Sequence, residues 1–368
     1  MTNQALRLGI LGAGMIATGP LGYLAGMPSL AGRAEVTAIA SRTLKRAQKA
    51  AAEYSINNVY DNLDDMLRHG DVDAVINATS IEAHYETSKA VLAAGKHLVS
   101  EKPFTRTENE ANELTALAAA TSAQVVVAPF RMLEPSRKRA AALIRDGAIG
   151  IVHSARVRVS HAGPGGMPWP SDPRPAYSYE NGPLRDLSPY AFDQILGLLG
   201  PVCRLVTMTA VSRPVFQAYG RGPYEGVDVN VASPDIVTVM LETAAGCVVT
   251  VDASYGTVLS SAPNVELYGT DGTINLHTRY GTDPGPRIEL HRRGQEKPGA
   301  WIDPSTNADH ERERVLNRLG RAALVEHLLD ALDSAKDAPL NARYGTELVR
   351  LISAAESSAD KGRVVELK

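Results

Sequence analysis

The sequence predicts two domains: an α/β domain with a parallel sheet, followed by a domain built on an antiparallel or mixed sheet. Three observations predict this. The chain has 368 residues, more than one hydrophobic core comfortably serves. Strand and helix signals alternate to about residue 130, which argues for a parallel sheet covered on both faces. Beyond that point longer strands of alternating polarity follow one another through hairpin-like turns. The expected domains are residues 1–130 and 131–368, with the C-terminal helix able to pack back on the first.

In order, Leu6–Leu11 is a short apolar run ended by glycines. Met15 to about Met27 reads as a helix that Gly19-Pro20 kinks or shortens. Glu35–Ala40 is the second strand, Thr43–Tyr54 an Ala/Lys/Arg-rich helix, and Asn62–Arg68 a shorter one. Then come strand Asp73–Ala78, helix Ala83–Ala94, strand Lys96–Ser100, helix Asn109–Ala120 and strand Gln124–Ala128. Helix Ser136–Arg145 leads into strands Ile151–Ser160, Val202–Val211, Ile236–Leu241, Gly246–Tyr255, Val265–Tyr268 and Thr273–Leu276. Residues 161–183 and 212–234 read as long irregular loops, which in compact domains are often functional. Helices are expected at about Arg314–Ala335 and Tyr344–Lys361.

A net charge of −3 offers no basic field to a nucleic-acid backbone. No apolar run reaches the roughly 18 residues of a membrane span, and Met1–Arg7 carries no signal-peptide pattern. Cys203 and Cys247 read as buried free thiols. A cytoplasmic protein is the simplest expectation.

Gly9-Ile10-Leu11-Gly12-Ala13-Gly14-Met15-Ile16-Ala17 follows a strand and opens a helix. Gly12 permits the tight turn, Gly14 lets a pyrophosphate approach the backbone, and Ala17 lets helix and strand pack closely. A helix N-terminus then offers the phosphates free N–H groups and a positive dipole end. This is the dinucleotide-binding turn of a Rossmann domain. At the end of the second strand an acidic residue would bind the ribose 2′-hydroxyl of NAD; here stand Ser41 and Arg42, followed by Lys45 and Arg46. A hydroxyl and a forked guanidinium suit a 2′-phosphate, so NADP(H) is favoured and NAD(H) remains open. Lys45 and Arg46 read better as a solvated helix start.

Glu101-Lys102-Pro103 follows a strand whose C-terminal end should open onto the cofactor crevice. A lysine there can take a hydroxyl proton or hold a developing oxyanion, and Glu101 can orient it or the nicotinamide. On the tripeptide alone a surface charge pair is the simpler reading. A second cluster runs from Asn181 to Asp193. Ser188 and Pro189 make a plausible N-cap and first helical residue, with Tyr190 in the first turn and Asp186 just upstream. A phenol beside an ammonium can serve as acid and base.

Together these segments resemble the Gfo/Idh/MocA oxidoreductases, the family named for glucose–fructose oxidoreductase and inositol dehydrogenase. The glycine turn, Ala83-His84, Ala94-Gly95-Lys96-His97, Glu101-Lys102-Pro103, Gly150, Asp186–Asp193 and the Ser357–Leu367 tail fall in family order along nearly the whole chain. The resemblance implies a Rossmann domain plus an α+β domain with an open, mostly antiparallel sheet that forms a homodimer or homotetramer interface. It implies Lys102 as the catalytic lysine. The family's second motif reads Asp-x-Gly-x-His-x-x-Asp; here Asp186 and Asp193 match, while Ser188 and Tyr190 replace Gly and His. The tyrosine form is similar to the glucose–fructose oxidoreductase and dihydrodiol dehydrogenase branch, where tyrosine is the proposed proton donor.

The cofactor-binding candidates are therefore Gly12, Gly14, Met15, Ile16, Ser41, Arg42, Thr79, Ser80, His84, Glu101 and Lys102. For His84 a polar residue at a helix start is an equal reading. The substrate is expected over the nicotinamide, with Lys102, Tyr190, Asp186 and Arg131 in reach, and His161, Trp169 and Tyr177 as sugar contacts. No metal is expected, since no ligand cluster has the right spacing. The activity implied is hydride transfer between nicotinamide and a sugar, polyol or sugar derivative. The alternatives are a dihydrodiol-type or imine reductase, or a non-catalytic dinucleotide-binding regulator.

Overall fold

The computed structural model describes residues 4–219, 222–278, 287–297 and 299–367; residues 220 and 221 of the second long loop lie outside them. The chain divides into two compact units, residues 1–130 with 312–350, and residues 131–311 with 351–368.

In the first unit β1 (Leu6–Leu11), β2 (Ala34–Ala40), β3 (Asn58–Tyr60), β4 (Ala74–Asn77), β5 (His97–Ser100) and β6 (Val125–Val127) form a parallel sheet. Its order is β3-β2-β1-β4-β5-β6. The direction of winding reverses between β1 and β4, the switch point where such sheets hold ligands beyond their carboxyl ends. The central strands are buried on both faces: Leu8, Ile10, Ala38, Ile39, Val75, Ile76, Leu98 and Val99 have no exposed surface. That is why these strands read as continuous apolar runs rather than alternating ones. Helices α3 (Leu44–Tyr54), α4 (Leu63–His69), α5 (His84–Ala93) and α6 (Glu108–Thr121) alternate with the strands. Thr107 and Glu110 close a reciprocal capping box at the start of α6.

The expected helix Met15–Met27 is instead two single turns, α1 (Met15–Thr18) and α2 (Tyr23–Gly26), separated at Gly19-Pro20 and followed by a 3₁₀ turn. Gly19 and Gly22 hold extended backbone there, and a proline cannot continue the ladder.

The second unit opens with α7 (Pro135–Arg145) and builds one eight-stranded mixed sheet. Its strands are β7 (Val152–Arg158), β8 (Val202–Ala210), β11 (Ile236–Thr243), β12 (Val248–Asp252), β13 (Val265–Gly269), β14 (Gly272–Leu276), β15 (Ile288–Arg292) and β16 (Val365–Glu366). The order is β15-β14-β13-β7-β12-β11-β8-β16, antiparallel except for the β7/β12 pair. Short helix α8 (Pro183–Asp186) and α9 (Ser188–Leu199) precede β8. The loop expected to be irregular at 212–234 contains a two-stranded ribbon, β9 (Val215–Gln217) and β10 (Asp228–Asn230).

Three helices complete the chain: α10 (Asn307–Leu319), α11 (Ala323–Ser334) and α12 (Ala342–Lys361). The single helix expected at 314–335 is thus broken, at the 3₁₀ turn Gly320–Ala322, where Gly320 adopts φ +52°. Both cysteines are free; Cys247 is buried as expected, whereas Cys203 is only half-buried. Among the described residues no helix is long and apolar enough to cross a membrane.

Candidate active site

The cofactor half is built at the carboxyl ends of β1, β2, β4 and β5. Gly12 has φ +104°, and a Cβ there would collide with the Ala78 carbonyl at the end of β4. Only glycine lets the turn lie this close to the neighbouring strand. Gly14, the N-cap of α1, faces open space where a Cβ would be, so its backbone is approachable. Ala17 is fully buried beneath the turn. Met15 and Ile16 begin α1, and first-turn amides have no partner within a helix. Because α1 is one turn long, its dipole is small, and any phosphate binding there would rest on those N–H groups and on shape.

Ser41 lies just past β2; its N–H donates to the Tyr60 carbonyl at 3.1 Å, and its Oγ accepts from the Thr43 N–H at 3.3 Å. Arg42 is exposed beside it. At the end of β4 the buried Asn77 organises the loop: its Oδ1 accepts from Thr79 Oγ1 at 2.7 Å, and its Nδ2 donates to Thr87 and Ser88. Thr79 is half-buried and Ser80 exposed. His84 begins α5 and is buried there: it is 2% exposed, with Nδ1 2.8 Å from the Pro103 carbonyl and Nε2 3.2 Å from the Thr79 carbonyl. Burial holds its imidazole below the usual histidine range, although the Pro103 carbonyl and Glu101 oppose this. A neutral ring has one N–H to donate, and the shorter contact assigns it to Nδ1.

Lys102 is half-buried after β5, and its peptide bond to Pro103 is cis. Glu101 is buried; its Oε1 accepts from Tyr23 Oη at 3.1 Å and faces Arg321 Nη1 at 3.4 Å, while its Oε2 accepts from the Lys102 N–H at 3.3 Å. Tyr23 and Arg321 are partners that no sequence motif announced.

The substrate-side candidates belong to the second unit. Asp186 ends α8 and Tyr190 lies in the first turn of α9; a spacing of four along nearly continuous helical backbone puts both on one face. Ser188 is not the N-cap: Leu187 occupies that position and Ser188 Oγ donates to the Leu184 carbonyl. Asp186 Oδ2 accepts from Tyr255 Oη at 2.6 Å. Tyr255 was not singled out from sequence, since it sits at the end of a strand with no motif around it. Burial, then the Asp186 carboxylate, drive its hydroxyl well above the usual tyrosine range, so it stays a donor.

Tyr177 is 2% exposed and packs edge-on against Phe216 at 5.1 Å and beside Tyr255 at 5.2 Å. Tyr177, expected as a sugar contact, is thus buried among aromatic neighbours. His161 lies 5.5 Å from the Tyr255 ring, and its Nδ1 accepts from the Gly163 N–H at 2.8 Å, which puts the proton on Nε2. Trp169 is half-buried in a small depression with Pro173, Ala218 and Tyr219. Arg131 Nη1 donates to Glu134 at 2.6 Å, and its guanidinium lies over the Tyr190 ring, 5.7 Å from the centroid. Among the described residues no group of three or more His, Cys, Asp or Glu is arranged to hold a metal ion.

A Rossmann sheet with a glycine turn at its switch point, joined to a mostly antiparallel second sheet, defines a two-domain dinucleotide-dependent oxidoreductase. Residues 6–129 match the oxidoreductase family with NAD-binding Rossmann fold, GFO_IDH_MocA, and residues 138–275 match the GFO/IDH/MocA C-terminal domain. The chain belongs to this family. It is 25% identical to D-apiose dehydrogenase of Paraburkholderia graminis over 91% of this chain and 84% of that one. It is 28% identical to trans-1,2-dihydrobenzene-1,2-diol dehydrogenase of Mus musculus over 91% and 97%. Its fold matches levoglucosan dehydrogenase in complex with NADH and levoglucosan, with a TM-score of 0.80 at 20% identity over 99% and 100% of the two chains.

Proposed function

We propose that this oxidoreductase transfers a hydride between a nicotinamide dinucleotide and a CH–OH or C=O carbon of a sugar, polyol or sugar derivative. The observation that carries the reading is the pairing of Asp186 with Tyr190 on one helical face, with Asp186 held by Tyr255, in a chain that also carries Lys102 at the end of β5. A bound nicotinamide would accept the hydride from the substrate carbon; Tyr190 would then take the hydroxyl proton and Lys102 would stabilise the developing oxyanion. Asp186 orients substrate or lysine and carries no proton. Gly12, Gly14, Met15 and Ile16 cradle the pyrophosphate, Thr79, Ser80 and His84 support the nicotinamide side, and Ser41 with Arg42 receive a 2′-phosphate. NADP(H) is accordingly the favoured cofactor. The protein works in the cytoplasm as a homo-oligomer.

Absorbance of the reduced cofactor tests this with a panel of aldoses, polyols and a trans-dihydrodiol. Turnover is expected on a sugar or polyol, and Lys102→Met is expected to lose about a hundred- to ten-thousand-fold with cofactor affinity kept. Turnover confined to the dihydrodiol would move the substrate class to that of the mouse relative. Full activity in Lys102→Met would remove the lysine from the mechanism. Titration of both cofactors tests the phosphate site: NADP(H) binds more tightly than NAD(H) in the wild type and loses that advantage in Arg42→Ala.

A further inference from the structure

A closed circuit of polar contacts starts at the ring of Tyr190 and returns to its backbone. The Arg131 guanidinium lies over the ring, 5.7 Å from its centroid. Arg131 Nη1 donates to Glu134 Oε1 at 2.6 Å, and Glu134 Oε2 faces Arg137 Nη1 at 2.8 Å. Arg137 Nε donates to Gln194 Oε1 at 3.1 Å, and Gln194 Nε2 donates to the Tyr190 carbonyl at 2.9 Å. The turn bearing Arg131 is fastened separately to α9, where Asp193 Oδ2 accepts from the Met132 N–H at 3.3 Å.

This frame is costly to build. The Arg137 side chain is fully buried; its Nη1 also donates to Ser136 Oγ and the His277 carbonyl, and its Nη2 donates to Thr278 Oγ1. Burial pushes the Glu134 carboxyl up, but Arg137 and Arg131 more than offset this and hold it below the usual carboxylate range. Arg131 and Glu134 keep only 23% and 13% of their side-chain surface, and an ion-pair set so desolvated rarely gives more stability than apolar side chains of the same size, so stability alone does not explain it. Orientation does: with Arg131 over the ring and Gln194 on the backbone carbonyl, Tyr190 has already lost freedom that a proton transfer would otherwise have to remove.

We propose that Arg131 is a positioning residue for Tyr190, held in place by Glu134, Arg137 and Gln194, and not a substrate ligand. The inference rests on the reading of Tyr190 as proton donor and acceptor. A double-mutant cycle on the full chain tests it, using Arg131→Met, Arg131→Lys, Tyr190→Phe and Arg131→Met/Tyr190→Phe, with circular dichroism and cofactor titration as folding checks. Arg131→Met lowers kcat about tenfold and leaves KM within about twofold, because a misplaced catalytic group costs rate rather than affinity. Arg131→Lys recovers part of the loss by keeping a cation over the ring. In the Tyr190→Phe background Arg131→Met changes kcat by less than about twofold, since nothing is left for it to position. Equal losses in both backgrounds, or a loss carried by KM, overturn the positioning role while leaving Tyr190 in the mechanism. Near wild-type turnover of Tyr190→Phe removes the tyrosine from the mechanism and the proposal with it.

Discussion

At the scale of single residues, the site depends on buried groups whose protonation is fixed by their surroundings. Tyr255 donates to Asp186 at 2.6 Å and is 3% exposed. Tyr255→Phe is expected to lower unfolding stability by about 1–3 kcal/mol, the cost of leaving a partly buried acceptor short of a donor. It should lower kcat/KM for the substrate while cofactor affinity stays put; the reverse pattern would detach the Tyr255–Asp186 pair from the substrate. His84 makes a pH prediction. Burial lowers its folded pKa below the unfolded value near 6.5, and His97 shifts the same way for the same reason. The unfolded chain therefore binds more protons as pH falls through that value, so stability present above it is lost below it. The first unfolding transition should drop between pH 7.5 and 5.5, and drop less in His84→Gln. Equal drops in the two proteins would assign the loss to other groups. Lys102, Asp186 and Tyr190 can be proposed from sequence because each sits in a short motif with a chemical logic. Tyr255, Tyr23, Arg137 and Arg321 cannot, because their partners are 69, 78, 57 and 220 residues away. Composition likewise marks Tyr177 as an aromatic in a loop but does not show that it is buried.

At the scale of elements, short apolar runs identified every strand of the first sheet except β3, whose three residues begin with the polar Asn58 and make no such run. The three-residue strands of the β9/β10 ribbon and the five-residue β15 were not read either. The broken helices carried their signal openly as Gly19-Pro20 and Gly320, but only the first was weighed as a break. Packing explains the second. A Cβ on Gly26 at the end of α2 would run into the Leu319 carbonyl and lie 2.8 Å from the Ala322 Cβ. The break at Gly320–Ala322 thus seats against α2 through a glycine contact within the first unit. Gly26→Ala should destabilise that unit by about 1–3 kcal/mol, as overpacking does. Denaturant unfolding followed by cofactor-protected fluorescence would read the change. An unaltered midpoint would mean that α2 and the turn separate at little cost. The consequence extends to chemistry, because α2 supplies Tyr23 and the turn supplies Arg321, the two groups that hold Glu101.

At the scale of the whole molecule, the second sheet presents two unlike faces. Leu205, Val237, Val239, Leu241, Val249 and Val251 point inward and are buried. On the opposite face Met240 pairs across the ladder with Val206 on one side and Thr250 on the other. Met208 is 77% exposed, Met240 53% and Val248 46%. The alternation of polarity along these strands was readable in the sequence, but the order β12-β11-β8 that gathers the three side chains was not, since pairing joins strands up to about forty residues apart through register. A patch of exposed apolar side chains on a sheet face is a common mark of an association surface. A homo-oligomer built on this face, dimer or larger, is therefore expected, with the same patch meeting itself across a two-fold axis if the assembly is a dimer. Light scattering at micromolar concentration should give a mass of at least two chains. Met208→Glu with Met240→Glu should shift that mass toward 39.2 kDa, the mass of one chain, without loss of secondary structure by circular dichroism. Two like charges forced into the centre of a self-complementary patch meet their own images, which is costly in a desolvated contact. A monomeric wild type would sink the assembly outright. An oligomer that survives the double charge substitution would move the interface off this face and onto another surface of the chain.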